Sequence, residues 1–252
     1  MAATARVPSP RRMSAAEARP EPAAPSWRAL HLVAGAAALC SVALIVAAIG
    51  THIAWPPPAW APGAALDWFV RFQENWLLGL LGLDLLIVVG LVLGVPIYLA
   101  LYLALRQAGE TAMLIATAMA LLSTVLHLVS NTAFEMLAFS QAYAAATTVA
   151  ERALLVAAGE ATLAAYYGTA FHVSYIMGYA AKIVIGAVML RGGGFGRATA
   201  YVAILAGALG LGLYLPAVGL LCSVLSVVLL AAWNLLLARA LIRLAQRPAP
   251  EV

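Results

Sequence analysis

Charged side chains are scarce in this chain of 252 residues, since Asp, Glu, Lys and Arg make up only 10% of it. A soluble domain carries about 25%. The net charge of +4 comes almost wholly from arginine, because Lys182 is the one lysine. These values exclude an ordinary soluble domain. They also give no reason to expect nucleic acid as a partner, because the arginines lie at the ends of apolar segments.

Cysteine is nearly absent as well. Cys40 and Cys222 both fall within apolar segments and follow no metal-binding or redox spacing. We therefore expect two reduced, buried packing residues and no disulfide. A His-Glu-x-x-His motif is missing, and the glycine run at 192–196 lacks the preceding strand of a phosphate loop. The sequence thus predicts no catalytic residue, no metal site and no cofactor, and favours a protein that is not an enzyme.

Apolar runs dominate what is present, with 65% hydrophobic residues overall. Six segments reach or approach the roughly 20 residues that a helix needs to cross a bilayer. They are Ala29–Gly50, Trp76–Leu105, Ala112–Phe134, Leu163–Leu190, Ala198–Leu215 and Gly219–Leu241. The fold class predicted is an all-α integral membrane protein with six transmembrane helices.

Arginines lie at every second connection between these segments. If the N-terminus is cytoplasmic, most of them are cytoplasmic too: Arg6, Arg11, Arg12, Arg19, Arg28, Arg106, Arg191, Arg197, Arg239, Arg243 and Arg247. Only Arg71 and Arg152 fall on the opposite side. The positive-inside rule therefore predicts cytoplasmic N- and C-termini in a multi-pass membrane protein, with the lipid bilayer as its main partner.

The chain divides into three parts by composition. Residues 1–28 are rich in Ala, Pro and Arg and predict a disordered cytoplasmic tail. Residues 29–244 form the six-helix transmembrane domain. Residues 245–252 form a second short cytoplasmic tail.

Two connections on the side opposite the cytoplasm are expected to be helical. Ala65–Asn75 predicts a short interfacial helix with Trp68, Phe69 and Phe72 on its lipid side. Glu135–Thr162 is rich in alanine and free of proline, which favours helix at the membrane surface.

Glycines mark two places where helices are expected to approach closely. Gly90 and Gly94 form a small-xxx-small pair in the second segment. Gly207, Gly210 and Gly212 serve the same purpose in the hairpin of the fifth and sixth segments.

Polar residues inside the segments form two stripes. His172, Tyr175, Tyr179 and Lys182 are spaced three and four apart, and therefore share one face of the fourth helix. Lys182 lies nine residues before Arg191, about 13 Å into the bilayer. Ionisable groups at that depth are costly without a partner and often functional.

The third helix carries the second stripe, in which His127 and Asn131 are followed by Glu135. If the second, third and fourth helices are neighbours, these residues meet Asp84 and the first stripe in an outward-facing polar pocket with Lys182 at its floor. The candidate ligand-binding residues are Lys182, His172, His127, Asn131, Asp84, Glu135, Tyr175 and Tyr179.

Several functions remain open for these stripes. The first is binding of a small or lipidic ligand in the pocket. The second is a small-solute transporter or channel subunit acting as a homo-oligomer. The third is a redox protein with haem between His127 and His172. Purely structural hydrogen bonds between helices explain the same residues without any ligand.

Short motifs in the second half carry a family resemblance. They are Met189–Gly193, Phe195–Tyr201 and Gly212–Gly219, followed by Trp233, with Asp84 upstream. With this pattern the chain, over about Trp76–Leu244, resembles the bacterial multi-pass membrane family called domain of unknown function 4386. The resemblance implies a bundle of six or seven membrane helices and supplies no activity or site residues.

Overall fold

The computed structural model describes residues 27–59, 61–192 and 194–246, so the tails predicted at 1–28 and 245–252 lie almost wholly outside the described residues. Within these ranges the chain is helical and contains no strand, which confirms the all-α class. The helices are α1 (Arg28–Ala54), α2 (Ala65–Glu74), α3 (Trp76–Gly82), α4 (Leu85–Ser130), α5 (Ala133–Ala145), α6 (Val149–Tyr166), α7 (Thr169–Arg191), α8 (Arg197–Leu211) and α9 (Gly219–Gln246).

Five helical stretches of the described chain are long and apolar enough to cross a membrane. They are Arg28–Ala54, Leu85–Ala145, Val149–Arg191, Arg197–Tyr214 and Gly219–Gln246. The protein therefore has the helices of a multi-pass membrane protein.

Helix α4 is a hairpin. A straight helix of its 46 residues would be about 69 Å long. Yet the side-chain amide of Asn131, just after α4, donates a hydrogen bond of 2.9 Å to the carbonyl of Leu83, just before it. The backbone leaves the helical conformation at Gly109, which divides α4 into arms of residues 85–108 and 110–130. Each arm is about as long as the hydrocarbon core of a bilayer is thick.

The helices α1, α4, α7, α8 and α9 form a bundle that is tightly packed at one end. We call this the arginine end, because Arg28, Arg106, Arg191, Arg197 and Arg243 lie there. Gly35 of α1 packs against Ile242 of α9, and Gly192 after α7 packs against Ala108 of α4. A core of alanines and large apolar residues, including Leu101, Ile185 and Leu237, fills the bundle at this end.

The helices α2, α3, α5 and α6 form a cap over the other end. Trp68 and Phe69 of α2 are fully buried in a second apolar core with residues of α3, α5 and α6. The short helix predicted at 65–75 is present, but the expected lipid exposure of Trp68, Phe69 and Phe72 is wrong. Trp68 and Phe72 pack beside Gly82 and Gly79 of α3, and Phe69 packs beside Gly159 of α6. They are covered because Glu135–Thr162 folds back over α2 as a helical pair.

Buried polar contacts hold the cap together. Ser140 of α5 donates a hydrogen bond of 2.8 Å to the carbonyl of Phe69. The carboxylate of Glu160 accepts hydrogen bonds from the backbone N–H groups of Gly63 (3.0 Å) and Ala65 (2.7 Å) at the start of α2. A carboxylate at this position satisfies free helix donors and complements the helix dipole.

Three of the predicted apolar segments are interrupted near the cap. The second breaks at Asp84, whose φ of 63° is left-handed, a conformation that Asp tolerates better than most residues. The third ends at Ser130, because Asn131 bonds to Leu83 and to the N–H of Ala133. The fourth breaks at Gly168. Each break lies where the chain passes between the bundle and the cap.

The glycines predicted to allow close helix packing differ in whether another part of the protein lies against them. A Cβ on Gly207 would lie 2.9 Å from the carbonyl oxygen of Tyr179, and one on Gly210 would collide with the Tyr179 ring, so the close approach predicted there is present. Gly90 has no atom within 4 Å of its Cβ position. The close approach predicted at Gly90 is therefore wrong, because open space lies beside it.

Both cysteines are free thiols, as expected. Cys222 is half-buried beside Gly212, whereas Cys40 is exposed on the outer face of α1. Burial of Cys40 was a wrong prediction, since that face of α1 meets no other helix.

The glycine contacts predict opposite effects of one substitution at two sites. Gly210→Ala should lower stability by about 1–3 kcal/mol, because the added methyl group displaces the Tyr179 ring. Gly90→Ala is the matched control and should be neutral or stabilising by up to about 1 kcal/mol, since it adds helix propensity in open space. The unfolding midpoint in detergent measures both, and equal midpoints would contradict the packing described.

Candidate ligand cavity

A cavity of about 320 Å³ lies between the two apolar cores. It is lined by α1, α4, α7 and α9, mostly with apolar side chains. It exists because the helices are packed tightly at one end only. The buried residues of α1 end at Ser41, and no residue of α4 between Leu85 and Pro96 is buried. The cap closes over the space that these half-helices leave.

The structure brings five of the predicted site residues to this cavity: Asp84, His127, Tyr175, Tyr179 and Lys182. They come from α7 and from both ends of the α4 hairpin. The pairing of Leu83 with Asn131 places Asp84 and His127 at the cap end together. The stripe of α7 then runs from there towards the arginine end.

Lys182 lies deepest among the five. Its side chain is only 8% exposed, and its Nζ donates a hydrogen bond of 3.3 Å to the carbonyl of Gly178. The Nζ also lies 4.8 Å from the centre of the Tyr179 ring, in a cation–π contact. One hydrogen bond uses one of the three N–H donors of an ammonium group. Lys182 thus faces the cavity with spare donors.

Asp84 closes the cap end of the cavity. The hydroxyl of Tyr166 donates a 2.5 Å hydrogen bond to its Oδ2, and His52 of α1 places Nε2 4.0 Å from its Oδ1. This carboxylate therefore joins the α3–α4 break to α6 and α1. His127 lies nearby, against the ring of Phe171, and its Nε2 is buried without a hydrogen-bond partner.

The other three predicted residues do not line the cavity. Asn131 is used in the helix break described above. Glu135 is exposed in the first turn of α5. His172 is exposed and is hydrogen-bonded through Nδ1 to the hydroxyl of Tyr214, at 3.0 Å. Their inclusion in the pocket is corrected, because the helix breaks at Asn131 and Gly168 turn these positions away from it.

Some cavity residues were not found from the sequence. Trp233 and Asn234 of α9 line the cavity and are 2% and 6% exposed. Tyr166, which bonds to Asp84, lies in the predicted fourth membrane segment, Leu163–Leu190, but was not among the predicted site residues. Only Asn234 could have been recognised from the sequence, because it is a polar residue in an apolar helix. The contacts of Tyr166 and Trp233 depend on tertiary packing, which the sequence pattern does not reveal.

The positions of the potential ligand side chains bear on whether the protein can hold a metal ion or a haem group. Among residues 27–59, 61–192 and 194–246, no group of three His, Cys, Asp or Glu side chains is arranged to hold a metal ion. His127 lines the cavity while His172 is bonded to Tyr214 outside it. The two histidines therefore do not share a space in which haem would be bound between them.

Comparison with family models, curated proteins and solved structures finds no match to this chain. The resemblance to domain of unknown function 4386 therefore stays a prediction. Function has to be argued from the cavity itself.

The bond between cap and bundle leads to a testable expectation. Tyr166→Phe should destabilise the protein by about 1–3 kcal/mol, because it removes a buried hydrogen bond to a carboxylate. Tyr201→Phe is the matched control, since that ring is exposed on α8. Unfolding midpoints measure the difference, and a Tyr166→Phe variant as stable as its control would refute the bond's importance.

Proposed function

We propose that this protein is a non-enzymatic, six-span protein of the bacterial inner membrane that binds a small lipidic ligand in the cavity. The six spans are α1, the two arms of α4, α7, α8 and α9. The arginine end is cytoplasmic, so both ends of the bundle's chain face the cytoplasm. The bacterial inner membrane follows from the family resemblance, and no nucleic acid takes part.

The distribution of arginine supports this orientation. Arg28, Arg106, Arg191 and Arg243 lie at one end of the bundle, whereas Arg71 and Arg152 lie in the cap. The cap is then on the periplasmic side. Its exposed edges carry the polar residues expected at a membrane surface, including Asp67 and Glu151.

The cavity is the observation that carries ligand binding. A volume of about 320 Å³ is within the range of small-molecule sites, and an apolar lining with few polar groups is typical of them. Gly90 and Gly94 lie among the apolar side chains of its α4 wall and add no side chains of their own. Val46 of α1 and Val89 of α4 are exposed beside it, so a ligand is able to enter sideways from the bilayer.

Binding is favoured over transport by the packing below the cavity. Ile97, Leu101 and Leu241 are buried between it and the arginine end. A solute would have to part this core to reach the cytoplasm. The transporter proposal, with a homo-oligomer as the working unit, therefore needs a second conformation, whereas binding needs none.

Orientation is testable with single cysteines in a Cys40→Ala, Cys222→Ala background. Thr147→Cys in the cap should react with a membrane-impermeant thiol reagent in intact cells. Gly194→Cys at the arginine end should react only after permeabilisation, and both positions are exposed in the structure. The reverse pattern would overturn the proposed orientation.

Filling the cavity tests ligand binding. Radiolabelled decanol and decanoate are offered to the protein in nanodiscs, with empty nanodiscs subtracted. Gly90→Trp should abolish saturable binding, because the indole enters open space in the cavity. Val129→Trp is the control, since that side chain is 70% exposed on the second arm of α4.

Two results would contradict ligand binding at this site. Wild-type protein that binds neither probe saturably would rule out the proposed function. Unchanged binding by Gly90→Trp would move the site elsewhere.

A further inference from the structure

The polar groups of the cavity are unevenly satisfied. Its serine hydroxyls mostly bond to main-chain carbonyls: Ser41 to Ala37, Ser123 to Ser174 and Ser174 to Phe171. Tyr175 and Tyr179 bond to serine hydroxyls of α9. The hydroxyl groups of these residues are therefore hydrogen-bonded within the protein and do not require a ligand as a partner.

Two places in the cavity keep unsatisfied groups: Nε2 of His127 at the cap end, and a group of donors at the arginine end. Lys182 has spare N–H groups beyond its one bond to Gly178. The indole Nε1 of Trp233 is buried without a hydrogen-bond partner, and an indole N–H only donates. Buried donors of this kind are normally paired. Their position in the wall of a cavity points to an acceptor on a bound molecule.

Among residues 27–59, 61–192 and 194–246, no carboxylate forms a salt bridge with Lys182. In this part of the chain Asp84 is the one carboxylate that lines the cavity, and Tyr166 already bonds to it. Phe171 stacks on Tyr166 beside Asp84, and Lys182 follows eleven residues later on α7. Lys182 therefore lies about 16 Å along α7 from Phe171, away from the end of the cavity at which Asp84 lies. A buried ammonium without a counter-ion favours an anionic ligand.

We infer that the ligand is an apolar monocarboxylate, such as a medium-chain fatty acid, whose carboxylate binds Lys182. The inference rests on the proposed function and adds the chemical class of its ligand. One ammonium balances a single negative charge, which favours a carboxylate over a phosphate dianion. The indole N–H of Trp233 and the amide of Asn234 supply further donors at this end. The alkyl chain then lies along the open wall at Gly94 and Gly90, towards the gap between α1 and α4.

Selectivity in the wild-type protein is the first test. Decanoate, decanol and decyl phosphate have the same alkyl chain and differ in the head group. In the nanodisc assay, decanoate should bind at least about tenfold more tightly than decanol, which corresponds to one charge-assisted hydrogen bond. It should also bind more tightly than decyl phosphate. Decanol binding as tight as decanoate would overturn the inference and leave the proposed function intact.

Variants of Lys182 test which residue provides the selectivity. Lys182→Met keeps the length of the side chain and should lose the preference for decanoate while still binding decanol. Lys182→Arg keeps the charge and should retain the preference. Arg191→Met is the matched control, because it removes one positive charge from the same helix at an exposed position outside the cavity.

The results separate the two proposals. A decanoate preference that persists in Lys182→Met would overturn the role of Lys182. Tighter binding of decyl phosphate than of decanoate would overturn the inference that the ligand is a carboxylate. Absence of saturable binding for all three probes in the folded wild-type protein would refute both the ligand class and the proposed function.

Discussion

A single hydrogen bond, from the side chain of Asn131 to the carbonyl of Leu83, joins the two ends of the α4 hairpin, and the layout of the molecule depends on this closure. Polar backbone groups exposed at a helix break are costly near lipid, so both breaks have to be satisfied by the protein. Pairing them with each other achieves this. It also joins the hairpin to the cap at one place, because the chain arrives from α3 and departs into α5 there. The cap therefore sits directly above the bundle.

Small residues determine where the helices of the bundle pack closely and where they leave space between them. At the arginine end, Gly35 and Gly186 let neighbouring helices touch backbone to backbone. Near the cap, no atom lies within 4 Å of the Cβ position of Gly90, so the missing side chain there leaves open space beside α4. The effect of a glycine depends on whether a second helix is held beside it. The cap connections hold α1 and α4 apart, so the glycines on that half of α4 border a cavity.

The sequence predicted the bundle better than the cap. Apolar length and arginine position were enough to locate all five long helical stretches and the turn at Gly109. The breaks at Asp84 and Gly168 were missed, because the residues on both sides are apolar and continue the pattern. The burial of Trp68 was missed for a related reason: tryptophan suits a membrane surface and a protein core equally well. Tyr175, Tyr179 and Lys182 of the predicted stripe on α7 line one cavity. His172, on the same helix, is bonded instead to Tyr214, which is distant in sequence.

The uneven anchoring of α1 has a mechanical consequence. Its buried residues all lie between Ala34 and Ser41. The half of α1 beyond Ser41 is therefore anchored in the core at one end only. At its far end His52 lies 4.0 Å from Asp84. Leu44 and Ile45 of this half line the cavity. A small rotation of α1 about Ser41 would therefore change the width of the cavity without disturbing the packed arginine end.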